Sequence, residues 1–170
     1  MGCKRFGYLW FTQGSLNNNV KFKFRERLQC QFIQEWEKCL QESNKCITYR
    51  TIKDTFEFEN YLYVIPKPWC FYIAKFRLSS HKLPIEVGRY TNILREERLC
   101  EKCNSNSIGD EFHILFECQN LESKNLREKY LPPIYYNNPN TFKFKIFFTH
   151  VDDKINGIKL GKFIKMCKIV

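Results

Sequence analysis

No uncharged apolar run in this 170-residue chain approaches the ~18 residues that a helix needs to cross a bilayer, because charged or polar clusters interrupt every hydrophobic stretch. The N-terminus offers no secretory signal, and Met1-Gly2-Cys3 lacks the Ser or Thr that N-myristoylation uses at the sixth position, where Phe6 stands. These absences lead to the expectation of a soluble intracellular protein, nuclear or cytoplasmic, that is neither secreted nor membrane-bound. Also missing are a Gly-rich phosphate loop, a His-Glu-x-x-His zinc-protease signature and a Gly-x-Ser-x-Gly nucleophile elbow. The stretch His150-Val151-Asp152-Asp153 has paired aspartates, but no further carboxylate or triphosphate-binding group accompanies them, so they read as acids at a helix start. No catalytic residue and no small-molecule substrate are expected.

Acidic residues are scarce beside basic ones. Eighteen Asp and Glu face 28 Lys and Arg, giving a formal charge of +10 that favours polyanionic partners. The excess is uneven, since residues 119–170 hold ten basic and four acidic side chains, or +6. What the chain does contain is apolar and aromatic mass: 44% apolar residues, with 16 Phe and 9 Tyr, far from the composition of disordered proteins. Nine cysteines are an odd number in a chain longer than the usual disulfide scaffold, so reduced thiols are expected.

Periodicity points to helices. Phe24, Leu28, Phe32, Trp36 and Leu40 recur every fourth residue with charged and polar residues between them, predicting an amphipathic helix over about 24–40. Ser43 and Asn44 offer a break before a second segment carrying Ile47, Tyr49, Ile52 and Phe56. Short helices are expected over Glu59 to Ile65 and Phe71 to Ser80, with Pro66 and Pro68 turning the chain between them. Pro84 and Gly88 read as loop punctuation, and Pro132-Pro133 as the stop of a helix over Leu121 to Leu131. Two more helices are expected over Thr141 to Phe148 and Asp152 to Ile169, although the alternation Phe142-Lys143-Phe144-Lys145 is also compatible with a strand. The expected fold is mainly α. A poorly ordered leader over 1–20 precedes a small helical domain over 21–170, with a Cys-Cys-His-Cys zinc-binding loop and helix embedded at 100–118.

Cys100 and Cys103 form a Cys-x2-Cys pair, followed after nine residues by His113 and after four more by Cys118. Zinc takes four ligands in a tetrahedron and prefers thiolate sulfur and imidazole nitrogen, and a Cys-x2-Cys turn delivers two sulfurs to one ion. Asn104, Ser105, Asn106, Ser107 and Gly109 suit the chain reversal between the pairs. Asp110 is a good N-cap for a helix that carries His113 in its first turn. Five residues of ideal helix would put Cys118 about 140° round and roughly 7.5 Å along from His113, so the helix must widen or end near Cys118. Ile114, Leu115 and Phe116 should pack beside the site. Three thiolates and one neutral imidazole fill the tetrahedron, which is the pattern of structural Zn2+. The alternative is buried thiols around a core histidine.

Two stretches resemble a known family. They are Lys75 to Tyr90, and Arg95 to Cys103 leading through Gly109-Asp110-Glu111-Phe112-His113 to Cys118. Both resemble the zinc-binding region that follows the polymerase domain in reverse transcriptases of non-LTR retrotransposons. The likeness extends upstream through Trp36 and Tyr49 to Tyr61-Leu62 and downstream to about His150, and the nine-residue gap before His113 is slightly longer than the family's. The resemblance implies Cys100, Cys103, His113 and Cys118 as the zinc ligands. It also implies nucleic-acid binding beside a polymerase and an endonuclease, neither of which is visible in this chain, and so a C-terminal piece of a retrotransposon-encoded protein.

Lys75, Arg77, Lys82, Arg89, Arg95 and Arg98 bracket Phe76, Tyr90 and the metal loop, a mixture suited to phosphate contact and base stacking with RNA or DNA. An ordinary solvated basic face, on a zinc-stabilised structural or protein-interaction fragment, is the competing reading. His81 reads as a cap on the preceding helix.

Overall fold

The computed structural model describes residues 18–170; the expected leader, apart from its last three residues, lies outside the described residues. The chain divides into two compact units, one ending at Glu42 and the other running from Ser43 to Val170. In the first unit, helix α1 spans Asn18–Glu42, so Asn18, Asn19 and Val20 are helical where the sequence suggested leader. The fourfold apolar spacing does form a helix, but none of its residues is buried.

The second unit is an assembly of short helices: α2 (Ile47–Ile52), α3 (Tyr61–Val64), α4 (Lys67–Arg77), α5 (Pro84–Tyr90), α6 (Leu121–Tyr130), α7 (Pro133–Tyr136), α8 (Thr141–His150) and α9 (Lys154–Met166). α2 ends at Ile52, and Phe56 lies beyond it, 45% exposed. Pro84 opens a helix where a loop was expected, because its fixed φ suits the first helical position, where no N–H is needed. Gly88 sits inside that helix, where a Cβ would come within 2.6 Å of the Arg98 side chain. Pro133 likewise both follows the end of α6 and starts α7.

The Phe142-Lys143-Phe144-Lys145 segment is helical. Asn140 caps α8 by accepting from Lys143 N at 2.8 Å, and Phe144, Phe147 and Phe148 then fall on its buried side. Asp153 caps α9, accepting from the N–H groups of Ile155 and Asn156 at 3.0 Å each. Leu160, Phe163, Ile164 and Cys167 are buried, while Lys154, Lys162, Lys165 and Lys168 face outward.

The core joins α4, α8 and α9 to the segment bearing the cysteines. Ile73 and Phe76 of α4 and Leu160, Phe163 and Ile164 of α9 are completely buried. Phe116 meets Phe112, Phe144 and Phe147 edge-on at ring separations of 5.7, 5.8 and 5.5 Å. Truncating such a buried phenylalanine costs about 3–5 kcal/mol. The segment bearing the cysteines is thus part of the main core.

Candidate metal centre

A small hairpin sets up the first half of the site. Leu99 and Ile108 form an antiparallel bridge, with Cys100 N donating to Ser107 O and Gly109 N to Arg98 O, both at 2.8 Å. Asn106 turns the intervening loop with φ of 50°, a left-handed conformation that asparagine tolerates better than most residues. Gly109 leaves the hairpin where a Cβ would come within 2.7 Å of the Pro84 ring, and its carbonyl accepts from Ile85 N at 3.2 Å. The first turn of α5 is thereby fixed against the base of the hairpin.

The second half begins at Asp110, whose Oδ1 accepts from His113 N at 2.9 Å as the cap geometry requires. From His113 to Glu117 the helix is wound wide, and Cys118 N donates to His113 O at 2.8 Å, five residues back. This π-type turn is the distortion that the His-x4-Cys spacing demands. Ile114, Leu115 and Phe116 are buried beneath it as expected, at 2% exposure or less.

The two halves converge. One ligand atom from each of Cys100, Cys103, His113 and Cys118 lies within 4.8 Å of the others, so these four residues could hold one metal ion. Cys100 Sγ and Cys118 Sγ are 3.9 Å apart, close to the ~3.8 Å edge of a tetrahedron with metal–sulfur bonds of about 2.3 Å. Cys103 Sγ lies 3.2 Å from His113 Nε2. That nitrogen faces the sulfurs, while Nδ1 is buried without a well-formed hydrogen bond and has Glu117 Oε2 3.5 Å away.

Two of the thiols differ electrostatically. Burial pushes the Cys100 thiol up to about 11, against the pull of the Lys102 and Cys103 backbone N–H groups. At Cys103 burial also acts upward, but hydrogen bonds from the Ser105 hydroxyl, the backbone N–H groups of Ser105 and Gln119, and His113 outweigh it and bring the thiol down to about 6. Amides aimed at the sulfurs favour thiolate, the form that binds metal.

Sequence reasoning missed three groups around this centre. Glu111, 2% exposed, accepts from Ser79 Oγ at 2.6 Å and pairs with His81 Nε2 at 2.8 Å. His81 is therefore a buried strut to the metal helix, where the sequence suggested a helix cap. Arg127, 5% exposed, donates to the carbonyls of Leu115 and Cys118. Glu117 stands beside His113, and its place one helical turn along is the signal that could have found it.

The six basic residues singled out from the sequence are not one exposed face. Arg77 is 4% exposed, donates to Glu59 Oε2 at 2.8 Å and lies over the Tyr61 ring at 4.9 Å. Arg98 donates to the carbonyls of Ile93 and Ile85, joining α5 to the hairpin. Both guanidiniums are turned to the protein's own acceptors. Arg89 pairs with Glu86 and covers Tyr90, and Arg95 lies 3.8 Å from Asp110. Lys75 lies over the Phe71 ring at 4.5 Å, and Lys82 is exposed.

No protein-family model, no curated protein and no solved structure matches the chain. Among the described residues no helix is long and apolar enough to cross a membrane.

Proposed function

We propose that this chain is a non-catalytic zinc-binding module that binds RNA or DNA, and that it is a C-terminal piece of a retrotransposon reverse transcriptase protein. The observation that carries the reading is the convergence of the Cys100, Cys103, His113 and Cys118 donor atoms within 4.8 Å. Three soft sulfurs and one imidazole nitrogen are the donor set and number that zinc prefers. Bound there, the ion would supply cross-linking between the hairpin and the metal helix, with all four positions occupied by protein ligands. The residues' likeness to the zinc-binding region of non-LTR reverse transcriptases supports the origin, and the +10 charge supports a polyanionic partner.

The inward engagement of Arg77 and Arg98 favours a second reading, a zinc-stabilised structural or protein-interaction fragment. Metal analysis and oligonucleotide binding separate the cases. The first reading expects about one zinc per chain, lost in Cys103→Ser and His113→Ala, together with oligonucleotide affinity that falls steeply with salt. Zinc without affinity for any RNA or DNA would leave the second reading, and a reduced wild type that copurifies with no metal would overturn both.

A further inference from the structure

Helices α4 and α9 pack directly against each other, and neither contains an Asp or Glu. Gly161 makes the close approach possible, since a Cβ there would meet Trp69 Cβ at 2.8 Å and the Trp69 backbone at 3.1 Å. The partly buried Trp69 ring is consequently set beside two lysines of α9, with Lys162 Nζ 5.8 Å and Lys165 Nζ 5.7 Å from its centroid. The aromatic series continues along α4. Trp69 and Tyr72 have ring centroids 6.4 Å apart, Tyr72 and Phe71 5.8 Å, and Lys75 Nζ stands 4.5 Å above the Phe71 ring. Phe71 is 53% exposed, while Lys162 and Lys165 are exposed on the neighbouring helix.

We infer that this α4–α9 face is where a single strand of RNA or DNA lies, its bases stacking on Phe71, Tyr72 and Trp69 and its phosphates meeting Lys75, Lys162 and Lys165. The inference rests on the nucleic-acid reading above and moves the contact surface away from the arginines of the metal hairpin. Duplexes keep their base faces stacked inside, so exposed rings beside lysines discriminate for single strands. In the free protein Lys75 lies over Phe71, and Lys162 and Lys165 stand beside Trp69. Cation–π contacts at exposed sites are weaker than base–aromatic stacking, and lysine stems are flexible, so an arriving base displaces the ammonium toward the adjacent phosphate. A protein surface would supply neither stacked bases nor a regular anionic backbone to this array.

The test uses the full zinc-loaded chain with a fluorescent single-stranded RNA, its DNA counterpart and the corresponding duplexes. The single strands should bind more tightly than the duplexes. Phe71→Ala, at an exposed ring, should weaken single-strand binding about 10-fold and barely change duplex binding. Lys162→Gln with Lys165→Gln should flatten the logarithmic salt dependence by roughly 1.4, or about 0.7 per phosphate contact, while Lys124→Gln on α6 leaves the other lysines' contacts intact. In a Trp10→Phe, Trp36→Phe background, single-strand binding should quench Trp69 emission. Wild-type affinity and slope in the α4–α9 variants of a chain that binds nucleic acid would overturn this inference alone. Binding to phosphatidylserine vesicles without affinity for any oligonucleotide would overturn both it and the nucleic-acid reading.

Discussion

Arg127 holds the wide turn that ends at Cys118. Its Nε donates to Leu115 O at 2.7 Å and its Nη2 to Cys118 O at 2.9 Å, both bonds buried. A π-type turn leaves carbonyls out of the usual helical ladder, and a side chain must answer them where water cannot. The second bond ties the guanidinium to the backbone of Cys118, one of the four candidate ligands. A divalent ion held by three thiolates and an imidazole would leave the site at −1, which an Arg+ bonded beside it would offset.

Arg127→Met should therefore destabilise the chain by about 3–5 kcal/mol, because two buried carbonyls lose their donor and the metal site loses its compensating charge. Urea unfolding of the zinc-loaded protein measures the first effect. Faster loss of metal to a chelator measures the second. Retention of wild-type stability would show that the clamp is incidental.

An ion held by the four residues would be coupled to the core. Ile114, Leu115 and Phe116 are buried between two of the candidate ligands, and Phe116 meets Phe144 of α8, so chelation should lower stability and dim the near-ultraviolet circular dichroism. Cys103→Ser should reproduce the effect without chelator. An unchanged unfolding transition would mean that the four residues meet without metal.

The buried pair of His81 and Glu111 predicts non-additivity. Glu111 lies below the usual carboxylate range; burial pushes it up, but hydrogen bonds from His81 and Ser79 prevail. His81→Phe alone should cost about 3 kcal/mol or more, since it leaves a buried carboxylate short of a partner. Combined with Glu111→Leu it should cost less than the two single changes added together. Simple additivity would show that the pair is not coupled.

Alkaline pH gives an independent check away from the metal. Tyr61, 5% exposed, is pushed by burial from 10.0 to about 12, with Arg77 pulling the other way. Below pH 10 both folded and unfolded chains keep the phenol protonated and its stabilisation is intact. Above pH 10 the unfolded chain gives up the proton first, so stability falls until the folded phenol ionises near pH 12. The loss reaches about 2–3 kcal/mol, and Tyr61→Phe should remove that part of the pH dependence. Unfolding free energies measured across the window decide it.

The helical class and the metal cluster were legible because both are written in short-range spacing. The apolar spacing in α9 and the Asp110 cap act within a turn or two of helix, and the misfit between five residues and a regular helix foretold the widened turn at Cys118. Pro84 and Phe142 to Lys145 were less readable, because a proline suits either a loop or a first helical turn and the side of α8 that is buried depends on distant Phe112 and Phe116. Arg77 could not be read from its neighbours. Its partner, Glu59, is 18 residues away, and long-range pairing turned a promising phosphate ligand into a core residue.

The bridge between Leu99 and Ile108 gives the two halves of the centre unequal tolerance to changes in length. Residues 104–106 are the exposed tip of the loop that the Leu99–Ile108 bridge and the Cys100–Ser107 hydrogen bond close, so an added or lost residue there alters a surface loop, costs Cys103 at most its Ser105 contact, and leaves Cys100 in register. Between His113 and Cys118 the carbonyl-to-amide closure counts five residues, and one more or one fewer would rotate a ligand by about 100° away from its partners. Lineages carrying this fold should accordingly drift in the spacing of the first pair to the histidine while the histidine-to-cysteine interval stays frozen.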